Sequence, residues 1–449
     1  MTTTYDPNDS KYLDEGDLRE EMDRVYDLCH GCRLCFKFCT SFPTLFDFID
    51  QHDDQDSKKM TPAQQDQVVD ECFNCKLCYV NCPYIPEQHE WDLDFPRLML
   101  RAQQVRHANG DKTMRQKMTD QALGRTDLSG AMGSAMSGVA NKLVGEPNSA
   151  PRKLMEKATG ISAERILDPY AKQRFSTWFK KRPVYDIALS DKQGDAILFP
   201  TCLVEYTNTG IGKDFVKVAE RNKIQCSLPE GEVCCGAPFL HEGDVKQFRK
   251  QGTKNVKVLA EAIRAQQEDG VVDPSVVVTQ PTCGYVLKKD YVDYLEGDAK
   301  ADAELVAEHT YDTSEYLMKV HKAKDTSLDT NFANDVPEKV TYHAPCHLRA
   351  QNIGLKSRDL IKLTGTKPQV VAECSGIDGT WGLREQNVEI ARGVAKKMVR
   401  AMDKNEKAGA EGIVGDCSLA NGGIELETGT TPQHPLQFLA RAYGIPEED

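Results

Sequence analysis

This sequence has fewer cationic than anionic residues, and it lacks long apolar runs. Its 56 Lys and Arg residues are outnumbered by 69 Asp and Glu, which gives a formal net charge of −13. That balance argues against sequence-independent binding to nucleic acid, because such binding needs clustered cations. No stretch approaches the roughly 18 continuous apolar residues of a transmembrane helix. The start of the chain, MTTTYDPNDSKYLDEGD, has no apolar signal region, so we expect a cytoplasmic protein.

Nucleotide and flavin fingerprints are missing as well. No G-x-G-x-x-G turn follows a predicted strand, and neither a P-loop nor a flavin motif is present. Any flavin or nicotinamide in the chemistry is therefore expected to belong to a partner protein. Cysteine, in contrast, is abundant, with 16 residues. In a reducing cytoplasm, clustered cysteines are typical of metal ligands rather than of disulfides.

Two matching cysteine runs stand in the N-terminal region. Each has the spacing C-x2-C-x2-C-x3-C, at residues 29–39 and 72–82. Three thiolates at such intervals wrap one four-iron cluster, whereas the fourth typically ligates the other cluster. The spacing thus predicts two 4Fe–4S clusters: cluster one on Cys29, Cys32, Cys35 and Cys82, and cluster two on Cys72, Cys75, Cys78 and Cys39. A pair of structural zinc sites is the alternative, and two matched four-cysteine runs favour iron–sulfur.

The segment that follows is predicted to be a helical connector. Apolar residues from Leu128 to Val144 recur at helical spacing, which predicts an amphipathic helix. We expect this helix to pack on the protein's own core or on a partner subunit. The second hypothesis is that the helix contacts a membrane or a quinone. It ranks lower because an interfacial helix usually has a strongly charged polar face, and this helix does not.

From about residue 190, short apolar runs alternate with amphipathic helices, the pattern of an α/β domain. The predicted strands are Ala196–Phe199, Ile224–Leu228, Ser275–Thr279, Lys339–His343, Gln369–Ala372 and Gly412–Gly415. Each strand leads into a loop that contains cysteine, and the six loops carry Cys202, Cys234 with Cys235, Cys283, Cys346, Cys374 and Cys417. Ligands of open α/β sheets bind outside the carboxyl ends of the strands, so these loops predict metal binding.

The six cysteine loops divide into two halves of three, which predicts a duplicated half-domain. The first half offers four candidate metal ligands, Cys202, Cys234, Cys235 and Cys283. The second half offers three thiols and two imidazoles, Cys346, Cys374, Cys417, His343 and His347. Neutral imidazole is a competent metal ligand, but both histidines could instead hydrogen-bond a cluster sulfur or be ordinary buried residues. His241 is expected at the surface or at a helix start, and Cys226 is expected to be a core thiol.

These motifs together resemble the CCG-domain iron–sulfur proteins, a family related to heterodisulfide reductase. The resemblance covers about residues 20–440, and the stretches HAPCHLRAQNIGLKSRDLIKL and ECSGIDGTWG are most like the type represented by the C subunit of anaerobic glycerol-3-phosphate dehydrogenase. In the heterodisulfide reductase relatives, each complete repeat holds a noncubane four-iron cluster. Here Val286 and Ala420 stand where those relatives have a final cysteine, and Ser375 replaces one cysteine of the second double-cysteine turn. One further cluster or other metal is therefore expected, held mainly by the first half.

The sequence predicts a fold of mixed α+β and α/β class. We expect a flexible tail at 1–20, a helical ferredoxin-like module with two 4Fe–4S clusters at 21–106, a helical connector at 107–189, and a duplicated CCG domain at 190–449 with halves at about 190–320 and 335–449.

The expected function is that of a subunit of an oxidoreductase complex. The resemblance implies that it passes electrons from a flavoprotein dehydrogenase through two 4Fe–4S clusters to the CCG metal site, and on to quinone or another acceptor. A location at the periphery of the inner membrane face is compatible with that role. The alternatives are a disulfide or heterodisulfide reductase, with Cys234 and Cys235 as candidate catalytic residues, and a metal-stabilised redox scaffold.

Overall fold

The N-terminal region of the protein is helical. The computed structural model describes residues 5–86, 88–185, 187–377 and 379–448. The first five helices are α1 (Glu15–Cys32), α2 (Ser41–Asp50), α3 (Pro62–Asp70), α4 (Leu77–Asn81) and α5 (Phe95–Asn109), with a 3-10 turn at Ser57–Lys59. Helix α1 starts where the Asp14 side chain accepts a hydrogen bond from the backbone N–H of Asp17, a regular N-cap. It is longer than the sequence suggests and carries the first two cysteines of the first run.

The connector consists of short helices. These are α6 (Met114–Gly124), α7 (Thr126–Ala135), α8 (Ser137–Val144), α9 (Ala150–Thr159) and α10 (Phe175–Lys181). The prediction of one continuous amphipathic helix from Leu128 to Val144 is wrong. Two helices, α7 and α8, meet at Met136, whose φ is −118° and ψ is 31°.

The orientation of α7 also differs from the expectation. Its small face points inward, where Gly130 lies against the ring of Tyr206 and Gly133 against the ring of Tyr170. A Cβ atom at either glycine would overlap the ring, so only glycine allows this close approach. The apolar side chains at Leu128, Met132, Met136, Val139 and Leu143 are 52–60% exposed instead. Helix α7 therefore packs on the protein's own chain, one of the two expected outcomes, but it does so through its small face rather than its apolar face.

The first half of the C-terminal region is a four-stranded parallel sheet. Its strands are β1 (Gly194–Phe199), β2 (Ile224–Ser227), β3 (Val276–Val278) and β4 (Thr310–Asp312), in the order β2-β1-β3-β4. The register places Ala196 opposite Cys226 and Val276 opposite Thr310. The sequence does not predict strand β4, because its three residues, TYD, show no apolar run. The helices of this half are α11 (Thr201–Tyr206), α12 (Thr209–Arg221), α13 (Ala237–His241), α14 (Val245–Glu268), α15 (Pro281–Tyr285), α16 (Tyr291–Tyr294), α17 (Gly297–His309) and α18 (Thr313–Lys322), with a 3-10 turn at Leu189–Asp191 and a π-helical turn at Val286–Asp290.

The second half repeats the plan with three parallel strands. They are β5 (Lys339–His343), β6 (Lys367–Val371) and β7 (Ile413–Gly415), in the order β6-β5-β7. The helices are α19 (Cys346–Ala350), α20 (Lys356–Lys362), α21 (Val388–Lys407), α22 (Ser418–Thr428) and α23 (Pro435–Ala442), with 3-10 turns at Trp381–Leu383 and Glu385–Asn387. All six predicted strands are present, and the two parallel sheets confirm the α/β repeat.

The two repeats are held together by a shared core and by polar contacts. Helix α23 of the second repeat packs on α12 of the first, and its Leu436 and Leu439 are fully buried in the core of the first sheet. Near the carboxyl ends of the strands, the Gln280 side chain donates to Ser418 Oγ at 2.8 Å and accepts from the Ser418 backbone N–H at 3.1 Å. The cysteine loops of both repeats therefore lie on one side of the region.

Candidate metal centres

The structure brings Cys82 of the second run to three cysteines of the first run. Burial raises the pKa of Cys29, and the neighbouring thiols that add to the rise are Cys35, Cys82 and Cys32. Burial, together with Cys82 and Cys32, raises the pKa of Cys35 to about 12. The backbone N–H of Tyr84 donates to Cys82 Sγ at 3.4 Å. These four cysteines are the candidate ligands of cluster one.

The other four cysteines of the two runs form a second group. Burial raises the pKa of Cys78, followed by the effects of Cys75, Cys35, Cys72 and Cys39. The loop between the ligands turns through Asn74 and Lys76, whose φ angles are 56° and 62°. Two left-handed residues so close together bend the chain sharply enough to wrap it around a compact group. Cys39 therefore crosses over to the second run, as Cys82 crosses to the first.

The cysteine environments suit a cationic cluster. Buried thiols that raise one another's pKa ionise poorly alone, and a bound metal cluster reverses this by supplying positive charge. The backbone N–H groups of Phe42 and Ser41 hydrogen-bond Cys39 and act to lower its pKa, against a larger effect of burial. Donors of this kind stabilise a thiolate and tune the cluster that it holds.

Among the residues that the structure describes, no three His, Cys, Asp or Glu side chains form a group that could hold a single metal ion. A zinc site needs its sulfurs about 2.3 Å from one centre. In a four-iron cluster each thiolate binds a different iron, so the four sulfurs lie further apart.

Four thiols of the first repeat meet in a row. The thiols of Cys202 and Cys235 both hydrogen-bond Cys234, and these two contacts lower the pKa of Cys234 well below its usual value. Hydrogen bonds to Cys234 and then to Cys283, together with burial, raise the pKa of Cys235. The turn after the pair runs through Gly236, whose φ is 84°, and a Cβ there would lie 3.0 Å or less from the Phe248 and Gln251 side chains. This turn therefore needs glycine.

The backbone around the double cysteine is fixed by neighbouring side chains. Asn255 donates through Nδ2 to the carbonyls of Val233 and Cys234, at 3.1 and 3.2 Å. The Tyr291 hydroxyl donates to the Cys235 carbonyl at 2.8 Å. Thr201, next to Cys202, has a φ of 68°. For a β-branched residue this is a strained conformation of the kind that clusters at functional sites.

The second repeat gathers its three cysteines with both candidate histidines, His343 and His347, around one small cavity. The cysteines are Cys346, Cys374 and Cys417, and the Gly376 N–H donates to Cys374 Sγ at 3.3 Å. His343 Nε2 lies 3.1 Å from the Glu373 carbonyl, which can only accept, so Nε2 carries the proton. Burial lowers the pKa of His343 to about 4, so the ring is neutral. Its buried Nδ1 has no hydrogen-bond partner within the described ranges and keeps a lone pair for a metal.

His347 does not fit the expected role of metal ligand. Its Nδ1 lies 3.0 Å from the Thr282 hydroxyl, and its Nε2 lies 3.1 Å from the Asn74 carbonyl. Burial, followed by the charge of Lys76, lowers its pKa to about 3. The neutral ring must therefore donate from Nε2 and accept at Nδ1, which leaves neither nitrogen for a metal. His347 instead links the loop of the second run to both repeats.

Two expectations for lone residues have opposite outcomes. Cys226 is a core thiol of β2, 5% exposed, as expected. The expectation that His241 lies at the surface is wrong, because this residue ends the five-residue helix α13 and is only 8% exposed. Helix α13 packs on α5 and α6, and the His241 ring stacks 6.1 Å from that of His347. The sequence around His241 carries no sign of this packing.

Sequence reasoning also misses the contact between the second run and the second repeat. Trp381 donates through its indole N–H to the Asp70 carbonyl at 2.8 Å, and its ring lies 4.4 Å from that of Phe73. Cys39 lies close enough to Cys374 for the charge of one thiol to raise the pKa of the other. The group on the second run therefore lies against the second repeat.

Lys76 is a buried cation in this contact. It is 4% exposed, and its Nζ lies 5.6 Å from the centre of the Tyr285 ring. Over the described part of the chain, Nζ has no hydrogen-bond partner. A positive charge next to Cys75, in a medium of low polarity, favours the reduced and more negative state of a cluster there.

Replacing Lys76 should therefore change a reduction potential. We expect Lys76→Met to lower the midpoint potential of the cluster on the second run by roughly 40–90 mV, since loss of about 1–2 kcal/mol of electrostatic stabilisation converts to that range for one electron. Redox titration followed by electron paramagnetic resonance measures the shift. Lys37→Met is the matched control, because Lys37 occupies the first run and is exposed to solvent. An unchanged or higher potential in Lys76→Met contradicts the assignment.

Comparison with known proteins agrees with the geometry. The family model of the CCG cysteine-rich domain matches residues 196–288 and 340–419, one match for each sheet. The chain is 28% identical, over 334 residues, to the C subunit of the anaerobic glycerol-3-phosphate dehydrogenase of Escherichia coli K12, covering 74% of this chain and 78% of that protein.

Shorter relatives match part of the chain. Lactate utilization protein A of Geobacillus kaustophilus is 29% identical over 195 residues, covering 42% of this chain and 74% of that protein. The protein of the same name from Bacillus subtilis is 27% identical over 229 residues, covering 49% of this chain and 86% of that protein. The two domain matches coincide with the two parallel sheets and their cysteine loops, so the C-terminal region contains two repeats that match the CCG cysteine-rich domain.

Proposed function

We propose that this protein is an iron–sulfur electron-transfer subunit of a dehydrogenase complex. The observation that carries the proposal is the crossing of Cys82 and Cys39 between the two runs. That arrangement is typical of paired 4Fe–4S clusters, and it lies directly against the CCG repeats. When bound, the clusters supply reversible one-electron oxidation and reduction.

The order of the sites suggests the direction of transfer. The loop of the first run is the most accessible one, with Cys32 exposed and with Leu34 and Phe36 exposed to 53% and 59%. An electron donor can dock there. The second run packs on the second repeat through Trp381 and on the first repeat through Lys76, whose Nζ lies 5.6 Å from the centre of the Tyr285 ring. Electrons would therefore arrive at cluster one and leave from the CCG repeats.

The donor is proposed to be a flavoprotein dehydrogenase. One relative, matched over 74% of this chain, is named as a subunit of a dehydrogenase, and the present sequence has no nucleotide or flavin motif of its own. A partner must therefore oxidise the substrate and pass on the electrons. A quinone, or another redox carrier, would take them from the CCG repeats.

The connector is proposed to rest on the surface of an anionic membrane. No described helix combines the length and the apolar character needed to cross a bilayer. However, the connector exposes eight large apolar side chains, Met114, Met118, Leu128, Met132, Met136, Val139, Leu143 and Leu154. Over residues 114–157 the exposed charges are one acid, Glu146, and six basic residues, of which Arg115 pairs with Glu385: Arg115, Lys117, Arg125, Lys142, Lys153 and Lys157.

A surface with exposed apolar and basic side chains is more stable against an anionic bilayer than in water. The chain as a whole has a charge of −13, so a basic, apolar surface is a local exception. Each Lys or Arg near an anionic membrane contributes about 1 kcal/mol, and the apolar side chains add to this as they leave water. Peripheral attachment follows without a spanning helix.

Vesicle binding tests this attachment. We expect the holoprotein to float with vesicles that contain anionic lipid, and the double variant Met132→Glu with Val139→Glu to bind at least about tenfold more weakly, because two acids replace apolar contacts. Val272→Glu, at a 97% exposed site of the first repeat, should bind like the wild type. Equal binding by both variants, or no binding by the wild type, contradicts membrane contact and leaves a protein partner as the occupant of this surface.

Iron analysis tests the electron-transfer proposal itself. Protein prepared without oxygen should contain about eight irons per chain for two cubanes, or about twelve with one further cluster on the CCG cysteines. Reduction should give the electron paramagnetic resonance signals of reduced four-iron clusters. Protein that folds with zinc and without such signals contradicts the proposal and favours the redox scaffold.

A further inference from the structure

An apolar cavity lies between the connector and the cysteines of the first repeat. Its volume is about 240 Å³. Cys202, Cys234, Cys235 and Cys283 line it, and Cys417 of the second repeat adds to the same wall. Other parts of the wall are apolar and come from Leu123, Ile161 and Leu383, which pack together as one buried cluster. The cavity therefore joins an apolar compartment to the proposed redox site.

Two hydrogen-bond donors in the wall lack partners. Arg165 is 2% exposed and donates through Nε to the Gly382 carbonyl at 2.7 Å. Its Nη2 and the hydroxyl of Thr201, which is 4% exposed, have no hydrogen-bond partner in the chain as far as the structure describes it. Burying a donor without a partner costs about 1–3 kcal/mol, and more for a charged group. Both donors would be satisfied by a ligand with oxygen acceptors.

The remaining polar side chains in the wall are compatible with a neutral ligand. Burial lowers the pKa of His241 well below its usual value, so its ring is uncharged. Burial raises the pKa of Asp168, which accepts a hydrogen bond from Asn208 at 2.7 Å. The largely apolar wall favours an uncharged ring over a polar metabolite, and Arg165 Nη2 is a donor for a carbonyl oxygen of such a ring.

Helix α7 links the cavity to the exposed apolar surface. Thr126, Ser129 and Gly130 of α7 line the cavity, while Leu128 and Met132 of the same helix are 52% and 60% exposed. One helix thus separates the interior from the surface that is proposed to touch the membrane. A ligand dissolved in the bilayer would have a short route into the cavity.

We propose that this cavity binds the head group of a prenylated quinone, with Arg165 Nη2 and the Thr201 hydroxyl as donors to its carbonyl oxygens. The cavity is smaller than the 300–1,000 Å³ typical of sites that enclose a drug-sized ligand, so the ring fits inside and the prenyl tail extends along the connector. The proposal rests on the proposed function and adds the location of the acceptor and the residues that hold it.

Binding of decylubiquinone to the oxidised holoprotein, measured by isothermal titration calorimetry without oxygen, tests this site. We expect one quinone per chain. Leu123→Trp should abolish binding because the indole fills the apolar part of the cavity, and Arg165→Gln should weaken it at least about tenfold through loss of a charged donor. Val272→Trp, on the far more exposed surface of the first repeat, should bind with wild-type affinity.

Iron content and circular dichroism of each variant separate the possible failures. Wild-type protein with a full set of irons that binds no decylubiquinone overturns the quinone site and leaves the electron-transfer role intact. The quinone site is also overturned if Arg165→Gln binds decylubiquinone as tightly as the wild type. If Leu123→Trp does not fold, the Arg165→Gln variant alone tests the site. If the protein shows no iron–sulfur signals, the proposed electron-transfer function is contradicted. Calorimetry still measures quinone binding in that case, so the two proposals are tested separately.

Discussion

Cys82→Ala should remove the cluster of the first cysteine run, although Cys82 belongs to the second. We expect the iron content to fall by about four atoms per chain, with the signals of the other cubane retained. The reason is spatial, because Cys82 lies with Cys29, Cys32 and Cys35. Loss of one of four thiolates leaves a site that cannot hold its cluster against oxidation and chelation. Electron transfer from the flavoprotein should be lost with it.

Two further variants sharpen this experiment. Cys39→Ala should remove the cluster of the second run and spare the first, the mirror image of Cys82→Ala. Cys226→Ala is the matched control, because this buried thiol lies in strand β2 away from both runs; all irons should remain. If Cys82→Ala instead removes the signals that Cys75→Ala removes, each run holds its own cluster and the crossed arrangement is wrong.

Much of the architecture can be predicted from spacing alone. A three-residue interval leaves the fourth thiol of each run out of reach of its own cluster, and in the structure Cys82 lies near the first run and Cys39 near the second. The six strands can be predicted because an apolar run followed by a cysteine loop occurs six times. The carboxyl ends of parallel strands then collect the loops at one side, where Gln280 bonds to Ser418.

The features that the sequence does not predict depend on tertiary contacts with residues far away in the chain. The helical periodicity around Leu128 shows that two faces differ, but not which face is buried. Gly130 and Gly133 settle this, because tyrosine rings from elsewhere in the chain occupy the space of their missing side chains. Lys76 is similar, since a lysine between two ligands normally suggests a solvated loop. Lys76 is a buried cation because both repeats pack on that loop, with the Tyr285 ring of the first repeat next to Nζ.

The two repeats differ in position as well as in composition. The second repeat lacks the double cysteine, having Ser375, and it contacts the second run through Trp381 and His347. The first repeat has the intact turn and borders the apolar cavity. Under the proposed function the first repeat is the terminal metal site, which accounts for its four thiols. This role leads to the second large effect.

Cys234→Ala should leave both cubanes in place and remove the metal of the first repeat. The thiol of Cys234 contacts those of Cys202 and Cys235 and is the one most easily ionised, so its loss breaks the row of ligands in the middle. We expect roughly four of about twelve irons to be lost. The flavoprotein should still reduce the cubanes, while quinone reduction should fall at least about 100-fold, beyond the 10–100-fold effects of altering groups that only support a ligand.

Ser375→Ala supplies the matched control at the equivalent turn of the second repeat. Ser375 is 7% exposed and replaces the cysteine that the first repeat has at this point, so its hydroxyl is not required to hold iron. The iron content and the quinone reduction of Ser375→Ala should match those of the wild type. An assay of disulfide reduction belongs in the same series, because Cys234, whose pKa the neighbouring thiols of Cys202 and Cys235 lower, is also the residue that a disulfide reductase would use. If Cys234→Ala keeps all its irons but loses a disulfide-reducing activity that the wild type shows, the first repeat is a thiol catalyst rather than the terminal metal site.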